Sequence, residues 1–229
     1  MHNFARSAAC AALALSLSTG TLLGSTALVA PAFAQSASQS SNLSQPQLES
    51  LVSSIALYPD SLLSQMLMAS TYPLEVAEAA NWLRGNPHLS GTALQDALKS
   101  QTWDNSVKSL VTFPDALNLM GNQLSWTQKL GDAYLAQPKD LMQAVQTLRA
   151  KARQAGNLSS NSQVTVSSDP QSNIIIVPSN PQVVYVPTYN PMMVYGAWPY
   201  AAYPPYPMYN PAWGLMSFGI GMAVGAALL

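Results

Sequence analysis

Apolar residues recur along this chain with two different periods. Between residues 44 and 156 they repeat every three or four positions, as at Leu62, Met66 and Leu67, which is the spacing of an amphipathic helix. After residue 163 the period shortens to two, which is the spacing of a β-strand. We therefore expect a mainly α protein of the α+β class, in which a compact bundle of seven or eight short helices precedes a β-hairpin.

Four prolines divide the helical region into short segments. Pro59, Pro73, Pro114 and Pro138 are each followed within two residues by an acidic residue. Proline fits the first position of a helix, and an acid in the first turn meets the positive end of the helix dipole. Each site therefore predicts a joint between two helices.

Further details of the helical domain, 44–156, follow from the same pattern. Gly121 is expected to interrupt the helical region 114–134. Two helices have apolar stripes that predict their core-facing sides. The stripes are Leu74, Ala77, Ala80 and Leu83 after Pro73, and Leu141, Met142, Val145 and Leu148 after Pro138.

Residues 157–196 are predicted to contain a β-hairpin and short strands. Two alternating runs, 164–166 and 173–177, flank a turn-forming sequence. Residues 182–186 and 192–195 are further strand candidates, and the prolines between them favour sheet edges or extended chain. The next segment, 197–211, is rich in proline and tyrosine, which predicts an extended conformation.

Charge is concentrated in the helical domain. Only 8% of all residues are charged, and residues 158–229 contain a single charged side chain, Asp169. The nine basic and ten acidic residues nearly cancel and form no basic stripe. We therefore expect no nucleic-acid partner.

The first 34 residues have the pattern of a signal peptide for export. Arg6 precedes an apolar run, 8–30, and the sequence Ala-Phe-Ala at 32–34 resembles a cleavage site. We expect cleavage between Ala34 and Gln35, followed by a disordered linker, 35–43. The mature chain would then lie in the periplasm or cell envelope.

Cleavage would also limit the chemistry of the mature chain. It removes Cys10, the single cysteine, and His2, so that His88 becomes the single histidine. Disulfides, thiol catalysis and a site with several histidines are then not expected. We predict no cofactor, no metal site and no catalytic residues.

Two groups of polar residues are catalytic candidates. His88 lies in a loop with Ser90 and Asp96 nearby, but this order matches no known triad, and Ser90 suits a helix cap. Glu75 and Glu78 fall on one helix face, where paired carboxylates share a proton, bind a cation or lie in solvent. The solvated face is the interpretation that we favour.

Two segments were predicted to make contacts with other molecules. The first alternates aromatic residues with prolines, and it either docks onto a partner or wraps its own helical domain. Its candidate residues are Tyr185, Pro187, Tyr189, Pro191 and Tyr195. The second is the Gly-rich apolar segment, 212–229, which suits membrane insertion or self-association through Trp213, Ser217, Gly221 and Gly225.

The chain resembles the bacterial domain-of-unknown-function family 3300. The resemblance lies in three stretches: LSQPQLESLVSSIALYPDSLLSQMLMASTYPLEVAEAANWL at 43–83, PSNPQVVYVPTYNPMMVYG at 178–196 and SFGIGMAVGAALL at 217–229. It implies an exported protein and brings no assigned activity and no catalytic residues.

Three functions are compatible with these features. The leading hypothesis is a non-enzymatic interaction or scaffold module whose partner is an unknown envelope protein or a membrane. The alternatives are a cell-wall-active hydrolase that uses carboxylates and a membrane-anchored structural protein.

Overall fold

Eight helices between residues 45 and 154 form the body of the protein, which confirms the predicted class and bundle. The computed structural model describes residues 42–181, 183–206 and 226–228, so the predicted cleavage site lies outside the described residues. The helices are α1 Gln45–Val52, α2 Asp60–Ala69, α3 Pro73–Gly85, α4 Gly91–Lys99, α5 Asn105–Leu110, α6 Pro114–Asn122, α7 Leu124–Ala136 and α8 Pro138–Gln154.

The predicted proline joints coincide with the starts of four helices. Pro73, Pro114 and Pro138 are the first residues of α3, α6 and α8, and Pro59 immediately precedes α2. The break between α6 and α7 lies at Gln123, two residues after the predicted Gly121. Gly121 serves close packing, because a Cβ at this position would lie 2.6 Å from the Cβ of Ala80 in α3.

The predicted core faces need two corrections. In α3 the buried residues are Val76, Ala79 and Ala80, whereas Leu74 is 77% exposed. Of the predicted stripe only Ala80 is buried, where Gly121 of α6 packs, and Val76 and Ala79 complete the inward face. In α8 Met142 is 38% exposed, because it lies about 100° around the helix from the buried Leu141.

The predicted hairpin is present, and its second strand contacts the bundle. Strands β1 Val164–Ser168 and β2 Ile174–Pro178 are antiparallel, with Val166 opposite Ile176. Ile176 is buried, whereas its neighbour Val177 is 40% exposed, so one face of the strand is directed to the core.

One of the two further strand predictions is wrong. Strand β3 is Val183–Tyr185, but residues 192–195 form no strand, because Pro191–Val194 is a short helix, α9. The Asn190 side chain caps α9 by accepting a 2.9 Å hydrogen bond from the Met192 N–H. Asn190 and Pro191 thus supply a local start signal that outweighs the β-branched and aromatic residues after it.

Little of the apolar segment 212–229 belongs to the described chain. Its residues Ala226–Leu228 form strand β4, antiparallel to β3, with Ala227 opposite Val184. Trp213, Ser217, Gly221 and Gly225 lie outside the described residues. Among the helices of the described ranges, none has both the length and the apolar sequence that crossing a membrane requires.

Candidate functional site

The connection between α1 and α2 is buried along its whole length. Every residue from 51 to 59 is buried, although residues 53–59 belong to no helix or strand. We call residues 51–59 the buried joint. Buried N–H and C=O groups outside regular structure need other partners, and here distant side chains provide them.

Arg149 of α8 supplies two of these hydrogen bonds. Its side chain is 1% exposed and donates to the carbonyl oxygens of Ala56 at 2.8 Å, Tyr58 at 3.1 Å and Ile174 at 2.8 Å. It also forms an ion pair with Asp60, with 2.6 Å between Nη1 and Oδ1. One guanidinium group therefore connects α8, the buried joint, α2 and the hairpin.

Three aromatic side chains complete the pairing of the buried joint. Trp126 of α7 donates from Nε1 to the Leu51 carbonyl at 2.8 Å. The hydroxyl groups of Tyr189 and Tyr195 both donate to the Ser53 carbonyl, the first at 3.0 Å. Burial raises the pKa of each of these two tyrosines above the ordinary phenol value of 10.0, so both remain protonated donors.

The described chain shows where the candidate residues of the tyrosine–proline segment lie. Tyr189, Pro191 and Tyr195 are buried, and Tyr185 and Pro187 are half-buried. The hydroxyl groups of Tyr189 and Tyr195 turn inward because the Ser53 carbonyl accepts from both. This placement is the one expected of a segment that wraps its own helical domain. We call residues 185–206 the arm.

After α9 the arm continues across a buried ion pair. Glu49 of α1 is 1% exposed, and its Oε2 lies 2.5 Å from the Lys151 Nζ of α8. Tyr200 donates to the other oxygen of Glu49 at 3.2 Å. The Lys151 Nζ also lies 5.7 Å from the ring centre of Trp198 and 5.0 Å from that of Tyr200, which are cation–π distances.

The end of the arm is held by three serines, Ser50, Ser53 and Ser54, which we call the serine track. Ser50 donates from its hydroxyl to the Pro204 carbonyl at 2.5 Å. The Tyr206 N–H donates to the Ser53 Oγ at 3.2 Å, and Ser54 donates to the Tyr206 carbonyl at 3.1 Å. These hydroxyl groups bind the backbone of an extended, proline-rich segment.

An open groove of about 330 Å³ lies beside the end of the arm. Its walls come from the start of the described chain, from α1, from α7 and from the arm. The lining is mainly apolar and consists of Asn42, Leu43, Gln47, Ser50, Leu51, Lys129, Asp132, Ala133, Ala136, Gln137, Tyr203 and Tyr206.

Gln137 holds the backbone of Leu43, and both residues line the groove. The Leu43 N–H donates to the Gln137 Oε1 at 2.7 Å, and the Gln137 Nε2 donates to the Leu43 carbonyl at 2.9 Å. The amide thus binds both backbone groups of one residue, as a neighbouring β-strand would. The last residue of the expected disordered linker, Leu43, is therefore fixed in place.

Glu75 and Glu78, the carboxylate pair considered in the sequence, bind the chain just before α5. Glu75 accepts a hydrogen bond from the Asp104 N–H at 2.6 Å, and Glu78 accepts one from the Trp103 Nε1 at 3.2 Å. Each carboxylate thus helps to position the chain between α4 and α5.

The residues around His88 have separate surroundings. His88 is exposed in the turn after α3, and Ser90 is the residue before the first turn of α4. Asp96 is paired within α4 to Lys99 at 2.7 Å. Across the described ranges, no group of three or more His, Cys, Asp or Glu residues is arranged to hold a metal ion.

Sequence reasoning missed Arg149, Glu49, Gln137 and the serine track. A signal existed for Arg149, since it follows Val145 by four residues and so lies on the predicted inward stripe of α8. No local pattern marks Gln137 or the serines, because their partners lie 94 to 154 positions away in the sequence.

Comparison with known proteins agrees with the resemblance noted in the sequence. The model of a family described as "Protein of unknown function (DUF3300)" matches residues 44–228. The chain belongs to this family. The matched range contains the buried joint, the arm and all the lining residues of the groove except Asn42 and Leu43.

A curated relative is also similar to the chain. The uncharacterized protein YacH of Escherichia coli strain K12 is 44% identical over 215 residues, which cover 80% of this chain and 34% of YacH. The chain thus spans about a third of the length of that relative. No solved structure matches the chain.

The inward tyrosines lead to a prediction about stability. Tyr195→Phe removes one of two donors to Ser53, and we expect a loss of about 1 kcal/mol in the free energy of unfolding. Tyr189→Phe should cost more, because the Leu57 N–H donates to the Tyr189 hydroxyl at 3.3 Å and would lose its acceptor. Urea unfolding monitored by circular dichroism measures both, with Tyr185→Phe as the control.

The same tyrosines predict a loss of stability at alkaline pH. Above pH 10 the unfolded chain releases its phenol protons, whereas burial keeps Tyr189 and Tyr195 protonated in the folded chain. Stability should therefore fall as the pH rises above 10. The loss of unfolding free energy above pH 10 should be smaller in Tyr195→Phe than in the wild type. An equal loss in the two proteins would contradict the burial of the Tyr195 hydroxyl.

Proposed function

We propose that the chain is an exported, non-enzymatic interaction or scaffold module of the bacterial cell envelope. The proposal of export rests on the signal-peptide pattern of residues 1–34. The proposal of a scaffold rests on the way in which the helical body holds an extended segment. The buried joint and Glu49 of α1 bind the arm by hydrogen bonds between Tyr189 and Tyr206. Lys151 of α8 and Trp126 of α7 contact its aromatic rings.

The roles of the acidic residues support this proposal over a hydrolase. Glu75 and Glu78 accept hydrogen bonds from the chain just before α5, and Glu49 and Asp60 form ion pairs with Lys151 and Arg149. A hydrolase of the predicted kind needs a carboxylic acid and a carboxylate directed at one substrate. These four acids are directed at other parts of the chain.

Export is tested by expressing the whole chain in a bacterium. We expect the protein in the periplasmic or envelope fraction, with an intact mass that corresponds to a chain beginning at Gln35. Retention of Met1 on a protein found in the cytosolic fraction would overturn the proposed location.

The non-enzymatic role is tested with the purified protein and peptidoglycan. We expect no release of soluble fragments, and we expect discrete cross-linked adducts when the protein is treated with formaldehyde in living cells. The double variant Glu75→Gln, Glu78→Gln should give the same adducts as the wild type. Fragment release that this double variant abolishes would establish the hydrolase alternative instead.

A further inference from the structure

We propose that the groove between α1 and α7 binds an extended, uncharged, proline- and tyrosine-rich segment of a partner protein. This inference rests on the proposed interaction function and names the class of partner. The lining of the groove includes Leu43 and Gln137 as well as Tyr203 and Tyr206 of the arm.

Two stretches of extended backbone of this same chain are held beside the groove. Gln137 pairs with both backbone groups of Leu43. The serine track pairs with both backbone groups of Tyr206. Since these polar groups are paired within the chain, a bound segment would lie alongside extended backbone and be recognised through side-chain pockets.

The charges around the groove favour an uncharged ligand. Its lining contains one basic side chain, Lys129, and one acidic side chain, Asp132, and otherwise only uncharged residues. A strongly charged peptide would find no complementary field there. The region of the arm that lies against the adjoining surface, 197–206, is likewise without charge.

The arm itself indicates which side chains fit. Tyr206 packs against the buried Trp126, with ring centres 6.3 Å apart, and Pro204 accepts a hydrogen bond from Ser50. This internal interface between a proline–tyrosine segment and α1 continues into the groove, which Ser50 and Tyr206 also line. Proline-rich segments dock into aromatic-lined grooves because their extended form is already ordered before binding.

The size of the groove fits a short segment. A volume of about 330 Å³ lies at the lower end of the range for ligand pockets, roughly 300 to 1,000 Å³. Such a space accommodates a few side chains of an extended chain, and it is too small for a packed helix. The partner segment therefore contributes a short stretch with one or two anchoring rings.

A labelled peptide tests this proposal directly. The probe is the synthetic heptapeptide Tyr-Pro-Pro-Tyr-Pro-Met-Tyr, which copies residues 203–209, titrated with the full purified chain and followed by fluorescence polarisation. We expect saturable binding. A second peptide, in which serine and glycine replace tyrosine and proline, should bind at least about tenfold more weakly, because it lacks the anchoring rings and the ordered backbone.

Variants of the lining locate the binding site. Ala136 lines the groove and is exposed, so Ala136→Trp should fill the space and weaken binding at least about tenfold. Ala93→Trp places the same ring on the exposed surface of α4 and should bind like the wild type. Tyr203→Ala, which empties one wall instead of filling the groove, should also weaken binding.

The outcomes separate this inference from the broader proposal. An absence of saturable binding, or equal binding by Ala136→Trp and Ala93→Trp, would overturn the groove as the peptide site. Dimerisation of the wild type that Ala136→Trp abolishes would assign the groove to a second copy and overturn the partner. None of these results bears on export or on peptidoglycan turnover, which test the proposed function separately.

Discussion

Replacing Arg149 with alanine is expected to lower the free energy of unfolding by about 3–5 kcal/mol, the usual cost of removing one partner of a buried charged network. The substitution leaves the carbonyl groups of Ala56 and Tyr58 without this donor, and Ile174 keeps only the Gln146 Nε2 donor at 3.2 Å. It also leaves Asp60 without its cation. Urea unfolding followed by far-UV circular dichroism measures the loss.

Two further variants separate the effect of the guanidinium geometry of Arg149 on stability from the effect of its charge. Arg149→Lys keeps the positive charge but cannot reach three carbonyl groups and a carboxylate at once, so it should also be clearly destabilising. Arg153→Ala removes an exposed arginine of the same helix, which donates to the Ser168 hydroxyl at 3.0 Å, and should cost less than about 0.5 kcal/mol. A similar small effect in all three variants would contradict the role of Arg149 in holding the buried joint.

Arg149 also illustrates how far sequence reasoning can reach. The periodicity of α8 places position 149 on the inward side, and its neighbours Leu148 and Ala152 are indeed buried. The partners of Arg149 are carbonyl groups, which every residue has, so no side-chain pattern can identify them. The position of Arg149 was therefore predictable, and its role was not.

The helices were the most predictable part of the fold. A proline followed by an acid is a local signal whose effect is complete within one helical turn, so Pro73, Pro114 and Pro138 begin helices as expected. The same kind of signal operates at Pro191, where the strand prediction failed because a capping Asn190 precedes the proline. Local start signals were more reliable here than β-propensity, which depends on tertiary neighbours.

The candidate site could not be predicted in the same way. The groove joins residues 42–51, 129–137 and 203–206, which lie far apart in the sequence. The tyrosines of the arm are equally suited to an external or an internal partner, because a tyrosine combines a large apolar ring with a polar end. Tyr189 and Tyr195 take an internal partner because their hydroxyl groups donate to the Ser53 carbonyl. Only the folded chain brings that carbonyl within reach of both.

The tightest surroundings of any glycine in the described ranges, those of Gly131, lead to a second large prediction. Gly131 of α7 faces the end of α2, and a Cβ at this position would lie 2.2 Å from the Ser70 carbonyl oxygen and 2.7 Å from its carbon. These are backbone atoms and cannot move aside as a flexible side chain would. Gly131→Ala should therefore force α2 and α7 apart and cost roughly 3 kcal/mol, the upper part of the usual range for overpacking.

Gly85→Ala is the matched control for this substitution. Gly85 ends α3, and nothing lies within 4 Å of a Cβ added there. Since alanine is the better helix former, this variant should be as stable as the wild type or gain up to about 1 kcal/mol. Thermal and urea unfolding should therefore show Gly131→Ala destabilised and Gly85→Ala unchanged or stabilised. Equal stability of the two variants would mean that α7 and the end of α2 are further apart at Ser70 than the structure places them.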